Sequence, residues 1–333
     1  MTARKVRWAL VGAGDLARKR LAAAIRTQPG SILHSLVSRD PEGRAPQLRT
    51  LAPEAVQVRF EEMLEDDSVD AVYLATPVFL HAPQAIAALE AGKDVLVEKP
   101  MAMDLRQARE MCRVARDRGR RLSVAYYRRF WPRFQLVKEM LDRGELGDLV
   151  LIRIALHSWY PGRGGAAADW RITPSMSGGG VLSDVGCHRL DLLAWWLGLP
   201  GKLVSQVLTL THGYSAEDSV AALLEWEGGP AGTVSFNWNS RTWTDEIHLV
   251  GTDAKITLHP CDGETVTITA GRDIRQRPVP NPENAHGPVV DDFARSILED
   301  RPPRFDGRDG LQATRIMDAV FRSARQGAWT ELD

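Results

Sequence analysis

Three ionisable residues in two short segments have the types and spacing needed for proton transfer. Asp184 and His188 are four apart in the run GGGVLSDVGCHRLD. On a helix this spacing puts both side chains on one face, where a carboxylate can orient an imidazole that moves a proton. Lys99 follows a predicted strand in the run VLVEKP, and a lysine there can stabilise a substrate oxygen that gains negative charge. The alternative for His188 is a buried histidine with only a structural role, and the alternative for Lys99 is an ordinary surface charge.

A glycine-spaced turn follows the first predicted strand and opens the first predicted helix. In Gly12-Ala13-Gly14-Asp15-Leu16-Ala17 the first glycine permits a tight turn and the second lets the backbone approach a pyrophosphate. The helix N-terminus then directs amide donors at the phosphates. The pattern predicts dinucleotide binding by Gly12, Gly14, Asp15 and Leu16. The alternative is a tight turn without a ligand.

The end of the second predicted strand, Val37-Ser38-Arg39-Asp40, bears on the choice between NAD and NADP. An acidic residue at this point would hydrogen-bond the adenine ribose. Ser38 occupies that position and Arg39 follows, and a hydroxyl with a guanidinium suits a 2′-phosphate. The sequence therefore favours NADP over NAD. The alternative is a solvated Arg39 with Asp40 on the ribose.

Alternating strand and helix signals fill the first 125 residues and predict a doubly wound parallel sheet with helices on both faces. The predicted strands are 6–11, 32–37, 70–75, 94–97 and 122–126. The predicted helices are 15–27, 79–91 and 105–118. No element is assigned between residues 37 and 70.

Beyond residue 126 the pattern changes to successive strands, which predicts an α+β domain with a large, mostly antiparallel open sheet. The predicted strands are 149–157, 203–211, 219–226, 231–238, 246–250 and 255–258. The predicted helices are 133–142, 181–197, 289–298 and 310–325, and a glycine-rich loop covers 161–180, with a mobile stretch at 162–168. We expect domains at 1–125 and 126–333, and the closing helix could pack back on the first.

Bulk composition excludes several classes of function. The 333 residues carry a formal net charge of -1, which gives no reason to expect nucleic acid or an anionic membrane as a partner. Cys112, Cys187 and Cys261 are widely separated, so neither a zinc site nor a disulfide framework is expected, and no metal is predicted. No run is long enough to span a bilayer and no secretory signal is recognised, so we expect a cytoplasmic protein.

The runs GAGDLA, ATPVFLHAPQAIAALEAGKDVLVEKP and GGGVLSDVGCHRLD resemble the Gfo/Idh/MocA oxidoreductases, which include inositol, glucose and dihydrodiol dehydrogenases. The resemblance covers nearly the whole chain. It implies hydride transfer between NAD(P) and a carbinol carbon of a sugar, cyclitol or related polyol. It also implies a homodimer or homotetramer assembled through the C-terminal sheet.

The resemblance implies roles for individual residues. Lys99 matches the lysine that contacts substrate and nicotinamide, His188 the proton-transferring histidine, and Asp184 its carboxylate partner. Positions that line the nicotinamide half are matched by Thr76, Pro77, His81 and Glu98. Candidates for the substrate pocket are Tyr127, Arg128, His157, Trp170 and Arg171. Pro77 and His81 could instead shape a helix start, and arginine and tryptophan could buttress the second domain.

One position departs from the family pattern, and two rival functions remain open. Val78 stands where the family often has asparagine, which puts one polar cofactor contact in doubt. The first rival is a lyase or glycosidase that oxidises its substrate transiently with bound NAD. The second is a non-catalytic sensor of sugar or dinucleotide. Such sensors tend to lose the lysine, aspartate and histidine that this chain keeps.

Overall fold

A computed structural model describes residues 4–43, 45–162 and 169–332. The chain folds into two compact units. The first comprises the residues up to Tyr127 together with Pro282–Leu311, and the second comprises Arg128–Asn281 with the residues from Gln312 onward. The C-terminal third therefore contributes to both units. The division into domains at 1–125 and 126–333 stays a prediction.

The first unit is built on a sheet whose six described strands are all parallel. The strands are β1 (Val6–Val11), β2 (Ser31–Val37), β3 (Val56–Val58), β4 (Ala71–Leu74), β5 (Asp94–Val97) and β6 (Leu122–Val124). Their order is β3-β2-β1-β4-β5-β6. Successive strands are therefore added towards one edge of the sheet from β1 to β3 and towards the other edge from β4 to β6, with the reversal between β1 and β4. This confirms the predicted doubly wound fold, in which ligands bind at the carboxyl ends beside the reversal.

Helices connect the successive strands of this sheet. They are α1 (Ala22–Arg26, preceded by a π-helical turn Ala17–Leu21), α2 (Ala45–Leu51), α3 (Phe60–Glu65), α4 (His81–Glu90, preceded by a 3-10 turn Val78–Leu80) and α5 (Leu105–Asp117). β4 and β5 are buried along their whole length, which is why they are continuous apolar runs without alternation.

The segment between β2 and β4 was left unassigned from the sequence, and it contains α2, β3 and α3. β3 has only three residues, too few for a visible period of hydrophobicity. α3 begins with a capping box in which the backbone N–H of Arg59 donates to Glu62 Oε2 at 2.7 Å. Arg59 is not among the usual N-cap residues, so its sequence carried no start signal.

The second unit is built on a sheet of nine described strands. They are β7 (Leu149–Trp159), β8 (Lys202–Leu208), β9 (Ser219–Glu225), β10 (Ala231–Asn237), β11 (Asn239–Gly251), β12 (Lys255–Leu258), β13 (Thr265–Ala270), β14 (Asp273–Pro278) and β15 (Thr330–Glu331). The order is β14-β13-β12-β11-β7-β10-β9-β8-β15, and among these strands only β7 and β10 pair in parallel. The predicted mostly antiparallel sheet is confirmed.

Three strands of this sheet, β13, β14 and β15, were not predicted. β14 is exposed at every residue, so it shows no buried face from which a strand could be recognised. β11 is also longer than the predicted 246–250. Its first part was missed, and the pairing of β11 with β7 is irregular there, between Asn239 and Thr244. Such irregularities interrupt the two-residue period on which the prediction rests.

One face of the second sheet is apolar and packed. Along β9, Val220, Ala222 and Leu224 are buried while Ala221 and Leu223 are exposed. The helices of the second unit are α6 (Pro132–Asp142), α7 (Pro174–Ser177) and α8 (Cys187–Leu197, preceded by a π-helical turn Leu182–Gly186). α9 (Gly287–Leu298) belongs to the first unit, and α10 (Gly307–Gln326) has its first residues in the first unit and the rest in the second. α8 is buried on nearly all sides, so its apolar residues form no single stripe, and the charged Arg189 and Asp191 lie buried among them.

The predicted glycine-rich loop 161–180 contains a 3-10 turn, Trp170–Ile172, and the short helix α7. The stretch expected to be mobile begins at Gly162, and its other residues, 163–168, lie outside the described residues. Across the described ranges, the helices include none that is both long and apolar enough to cross a membrane.

Candidate active site

The glycine turn lies at the carboxyl end of β1, beside the reversal of the sheet. Gly12 has φ 99°, and a Cβ atom on it would lie 2.7 Å from the carbonyl oxygen of Ala75 at the end of β4. Only glycine fits there, because the conformation is left-handed and the neighbouring backbone is too close. A Cβ atom on Gly14 would meet nothing within 4 Å. The turn therefore has open space at its second glycine, as a dinucleotide site requires.

Asp15, the first residue after the two glycines, is exposed. The Asp15 carboxylate is paired with Arg18 at 2.9 Å and Lys19 at 3.4 Å, and these hydrogen bonds lower its pKa. Leu16 is half-buried. Asp15 is thus engaged by its own helix, which a sequence motif does not reveal.

At the end of β2, Ser38 is buried and Arg39 is exposed. Asp40 accepts a hydrogen bond from the backbone N–H of Gly43 at 2.9 Å. Its carboxylate therefore closes a local turn.

His81 joins the loops that follow β4 and β5. Its Nε2 lies 2.9 Å from the carbonyl oxygen of Thr76, and its Nδ1 lies 2.9 Å from that of Pro100. Burial lowers the pKa of His81, and a neutral ring can donate to only one of these oxygens at a time. Thr76 also donates its hydroxyl to Gln84 at 2.7 Å, while Pro77 is half-buried. The structure brings Thr76, Pro77 and His81 together at the sheet edge.

Lys99 follows the carboxyl end of β5 and is half-buried, whereas the preceding Glu98 is buried. The Glu98 carboxylate accepts hydrogen bonds from the Tyr73 hydroxyl at 2.8 Å and from the backbone N–H of Lys99 at 3.3 Å. His286 Nε2 lies 3.3 Å from the same carboxylate. Glu98 thus anchors the backbone that carries Lys99, and the sequence motif gave no sign of Tyr73 or His286.

The other proposed catalytic residues belong to the second unit. Asp184 lies in the π-helical turn that precedes α8, and His188 is the second residue of α8 and is only 5% exposed. The wider turn differs from the regular α-helix assumed from the sequence, and such turns recur at functional sites. Gly186 in this turn packs against Phe236 of β10, where a Cβ atom would come within 3.0 Å. The turn is therefore fixed on the packed face of the sheet.

Arg171 and two carboxylates lie beside this turn. Arg171 Nε is 3.7 Å from Asp184 Oδ1, and Arg171 Nη1 is 4.0 Å from Asp169 Oδ1. Asp169 also accepts hydrogen bonds from the Tyr160 hydroxyl and from the backbone of Arg171. The guanidinium of Arg171 lies 4.6 Å from the ring centre of Trp170. The structure thus groups Asp184 with Trp170 and Arg171.

Glu217, which the sequence analysis missed, holds the glycine turn before α8. Its Oε1 accepts a hydrogen bond from the backbone N–H of Leu182 at 3.1 Å, and its carbonyl oxygen accepts one from Val181 at 3.1 Å. A Cβ atom on Gly180 would lie 2.2 Å from that carbonyl oxygen, which explains the glycine. Burial raises the pKa of Glu217 to about 7, and the charge of Asp218 adds to the shift against the backbone hydrogen bonds.

Buried ion pairs hold α8 on both sides of His188. Arg129 contacts Asp191 at 2.8 Å with both side chains at most 3% exposed, and Arg189 contacts Asp245 at 2.7 Å. Each pair joins the helix to a segment distant in sequence. The charged residues Arg189 and Asp191 in a largely apolar helix indicate that each needs a buried partner of opposite charge. The sequence alone does not show which residues are those partners.

The remaining substrate candidates are dispersed. Arg128 is buried and makes a two-point hydrogen bond with Asp262. Tyr127 packs on the ring of His286 at 4.4 Å between centroids. His157 contacts Ser235 at 2.9 Å, on the face of the second sheet opposite to Phe236 and α8. The structure therefore does not bring His157 together with Asp184 and His188.

No group of three or more potential metal ligands occurs within the described ranges. The cysteines are free thiols, and burial raises the pKa of Cys112 and Cys261 to about 12. Neither thiol is activated for nucleophilic chemistry.

A doubly wound sheet with this glycine turn defines a dinucleotide-binding protein. Residues 6–126 match the family model described as an oxidoreductase family with an NAD-binding Rossmann fold, and residues 134–257 match the Gfo/Idh/MocA C-terminal domain. The chain belongs to the Gfo/Idh/MocA oxidoreductases and is an NAD(P)-binding oxidoreductase.

Several characterised proteins are similar over most of their length. D-xylose 1-dehydrogenase (NADP(+)) 2 of Haloferax volcanii is 29% identical over 281 residues, covering 82% of this chain and 84% of the relative. 1,5-Anhydro-D-fructose reductase of Ensifer adhaerens is 28% identical over 335 residues, or 98% of each chain. scyllo-Inositol 2-dehydrogenase (NAD(+)) of Bacillus subtilis is 26% identical over 344 residues, covering 99% of this chain and 97% of the relative.

Solved structures share the fold. Aldose-aldose oxidoreductase from Caulobacter crescentus, complexed with glycerol, has a TM-score of 0.88 at 25% identity and covers 99% of this chain and 100% of its own. Levoglucosan dehydrogenase in complex with NADH and levoglucosan has a TM-score of 0.90 at 22% identity, with the same coverage.

The two glycines of the turn should respond differently to alanine. Gly12→Ala should lower the melting temperature and abolish dinucleotide binding, because its Cβ atom collides with the Ala75 backbone. Gly14→Ala should leave the melting temperature of the ligand-free protein within about 2 °C of the wild type and weaken binding at least about tenfold, because it fills only ligand space. Thermal melts and calorimetric titration with NADH and NADPH measure both. Unchanged affinity in Gly14→Ala would place the cofactor elsewhere.

Glu217→Gln should change how stability depends on pH. The pKa of Glu217 is raised in the folded state, so the folded protein holds this proton more tightly than the unfolded chain. The wild type therefore loses stability relative to Glu217→Gln as the pH rises from about 4.5 to about 7, by roughly 2–3 kcal/mol. Melting curves at pH 5 and pH 8 test this. The control Glu225→Gln, an exposed residue of β9, should show no such pH-dependent difference.

Proposed function

We propose that this protein transfers a hydride between NADP and a carbinol carbon of a sugar, cyclitol or related polyol. The observation that carries the proposal is the grouping of Asp184, Arg171 and His188 around the turn before α8, together with Lys99 at the carboxyl end of a dinucleotide-binding sheet. The relatives named for D-xylose, 1,5-anhydro-D-fructose and scyllo-inositol support a polyhydroxylated substrate.

The first unit would hold the cofactor. Gly12 and Gly14 leave space for the pyrophosphate at the start of the first helix, and Thr76, Pro77 and His81 would flank the nicotinamide. The bound nicotinamide supplies the hydride acceptor or donor. Lys99 would donate a hydrogen bond to the substrate oxygen and stabilise the charge that develops there.

The second unit would hold the substrate and move its proton. His188 would take the hydroxyl proton in oxidation and return it in reduction, with Asp184 orienting the substrate. Arg171 is balanced by Asp169 and Asp184, so the group presents hydrogen-bonding atoms without a large excess of positive charge. Such a set suits neutral hydroxyl groups better than a carboxylate or phosphate. Arg128 and Tyr127 are proposed to support this binding from their packed positions, and His157 is the candidate with least structural support.

NADP is the proposed cofactor. Arg39 is exposed and makes no ion pair with any described residue, whereas Asp40 is engaged with Gly43. A guanidinium in this position can bind a 2′-phosphate through a planar fork. A cytoplasmic location is proposed with it, because the reduced and oxidised nicotinamides circulate inside the cell.

We propose that two copies associate through the open face of the second sheet, as a homodimer or within a homotetramer. Leu151 and Leu223 are 41% and 50% exposed on that face, and a groove there is also lined by Val204 and Ala221. Burying such exposed leucines in a second copy removes apolar area from water.

The catalytic assignment is tested by a spectrophotometric screen of aldoses, cyclitols and dihydrodiols with NAD and NADP. On the substrate found, Lys99→Ala and His188→Ala should each lower kcat at least about a hundredfold, because each removes a group that acts in the transition state. Affinity for the cofactor should change less than about threefold in His188→Ala. Lys138→Ala, at a half-buried lysine of α6, serves as a control for the loss of a lysine. Full turnover in both site variants would refute the roles.

Leu223→Asp should weaken the assembly because it places a charge in an apolar contact. Light scattering should show a smaller particle than for the wild type. Leu210→Asp, in the loop beyond β8, is the matched control and should leave the particle mass unchanged. A wild-type protein that is monomeric would contradict the proposed interface.

A further inference from the structure

Glu98 is a buried carboxylate next to Lys99 in the chain, and its surroundings are unusually polar. Oε1 accepts a hydrogen bond from the Tyr73 hydroxyl at 2.8 Å, and Oε2 accepts one from the backbone N–H of Lys99 at 3.3 Å. Only 5% of the residue is exposed. A carboxylate at such a position needs compensating charge, since burial alone strongly disfavours its ionised form.

That compensation comes from His286, which lies 188 residues further along the chain. Its Nε2 is 3.3 Å from Glu98 Oε1, and the imidazole is 1% exposed. Burial by itself would raise the pKa of Glu98, but the hydrogen bond and charge of His286, with smaller contributions from Lys99 and Tyr73, lower it. The carboxylate is therefore coupled electrostatically to both His286 and Lys99.

His286 is held in a defined orientation. Its backbone N–H donates to Asn284 Oδ1 at 2.9 Å, and Asn284 in turn donates to the carbonyl oxygen of Arg20 at 3.0 Å. Its ring packs on Tyr127. Its Nδ1 atom is buried and has no hydrogen-bond partner within the described ranges. The proton of a neutral ring therefore belongs on Nε2, because Glu98 offers only an acceptor.

We propose that His286 is a positioning residue for Lys99. Its Nε2–H donates a hydrogen bond to the Glu98 carboxylate, which in turn accepts one from the backbone N–H of Lys99. The bond from His286 fixes this carboxylate and disperses part of its negative charge away from the Lys99 ammonium. The inference rests on the proposed function of Lys99. The titratable groups that surround this contact are Tyr73, His81, Glu98, Lys99 and Tyr127.

Two substitutions separate the hydrogen bond from the packing. His286→Phe keeps a ring against Tyr127 and removes the donor. His286→Gln keeps a donor near the position of Nε2 and cannot become charged. We expect kcat to fall about tenfold or more in His286→Phe while KM and the Kd for NADPH change less than about threefold, and we expect His286→Gln to recover kcat to within about threefold of the wild type.

A second readout does not depend on turnover. Lysines are rare in this chain, so the amine of Lys99 can be followed by NMR after ¹³C methylation and assigned from Lys99→Arg. In the ligand-free protein, His286→Phe should move the titration midpoint of Lys99 upward by about half a unit, because Glu98 then acts on Lys99 alone. His286→Gln should move it less.

A matched control is His34, which pairs with Asp66 at 3.1 Å in the same unit. His34→Phe should leave both kcat and the Lys99 titration unchanged. The proposal is overturned if the Lys99 titration does not move in His286→Phe, or if His286→Gln is as impaired as His286→Phe, since a packing role alone would give that result. Failure of the proposed function would show differently, as normal turnover in Lys99→Ala while the titration still moves.

Discussion

The cost of burying an unpaired charge is the constraint on which the candidate residues of each unit depend. Removing one partner of a buried ion pair costs about 3–5 kcal/mol, because the other charge is left without water or partner. Arg129 with Asp191 and Arg189 with Asp245 fix α8 in this way. In the first unit, the buried contact between Glu98 and His286 lies beside Lys99. In each unit, the segment that carries a proposed catalytic residue is thus tied to distant parts of the chain by buried polar contacts.

Close backbone contact is the second constraint, and it explains two of the glycines, Gly12 and Gly180. Gly12 lets the turn after β1 pass the end of β4, and Gly180 lets the turn before α8 lie on the carbonyl oxygen of Glu217. Both contacts are between backbones, so no change of rotamer could relieve a side chain at either position. The glycine runs thus serve the placement of helix N-termini in both units.

Local patterns were enough to predict the parallel sheet, the mostly antiparallel sheet and the positions of Lys99, Asp184 and His188. Buried parallel strands such as β4 and β5 are short apolar runs between turn signals, which the sequence displays directly. β3 and β14 escaped prediction because the first is short and the second is exposed, so hydrophobic periodicity carries little information about them. β13, by contrast, alternates threonine with apolar residues, so its strand signal was present in the sequence and was missed. Asp15, expected at the pyrophosphate, is paired with Arg18 and Lys19 on its own helix.

By itself, the sequence determined the class of each sheet, the glycine turn and the identity of the family, because these are displayed in short segments with recognisable spacing. Only the tertiary structure decided which distant groups meet. Glu217 reaches back to Leu182, His286 reaches Glu98, and His157 lies on the sheet face away from α8. The physical reason is that a charge or hydrogen-bonding group specifies the kind of partner it needs, whereas the folding of the whole chain specifies which residue supplies it.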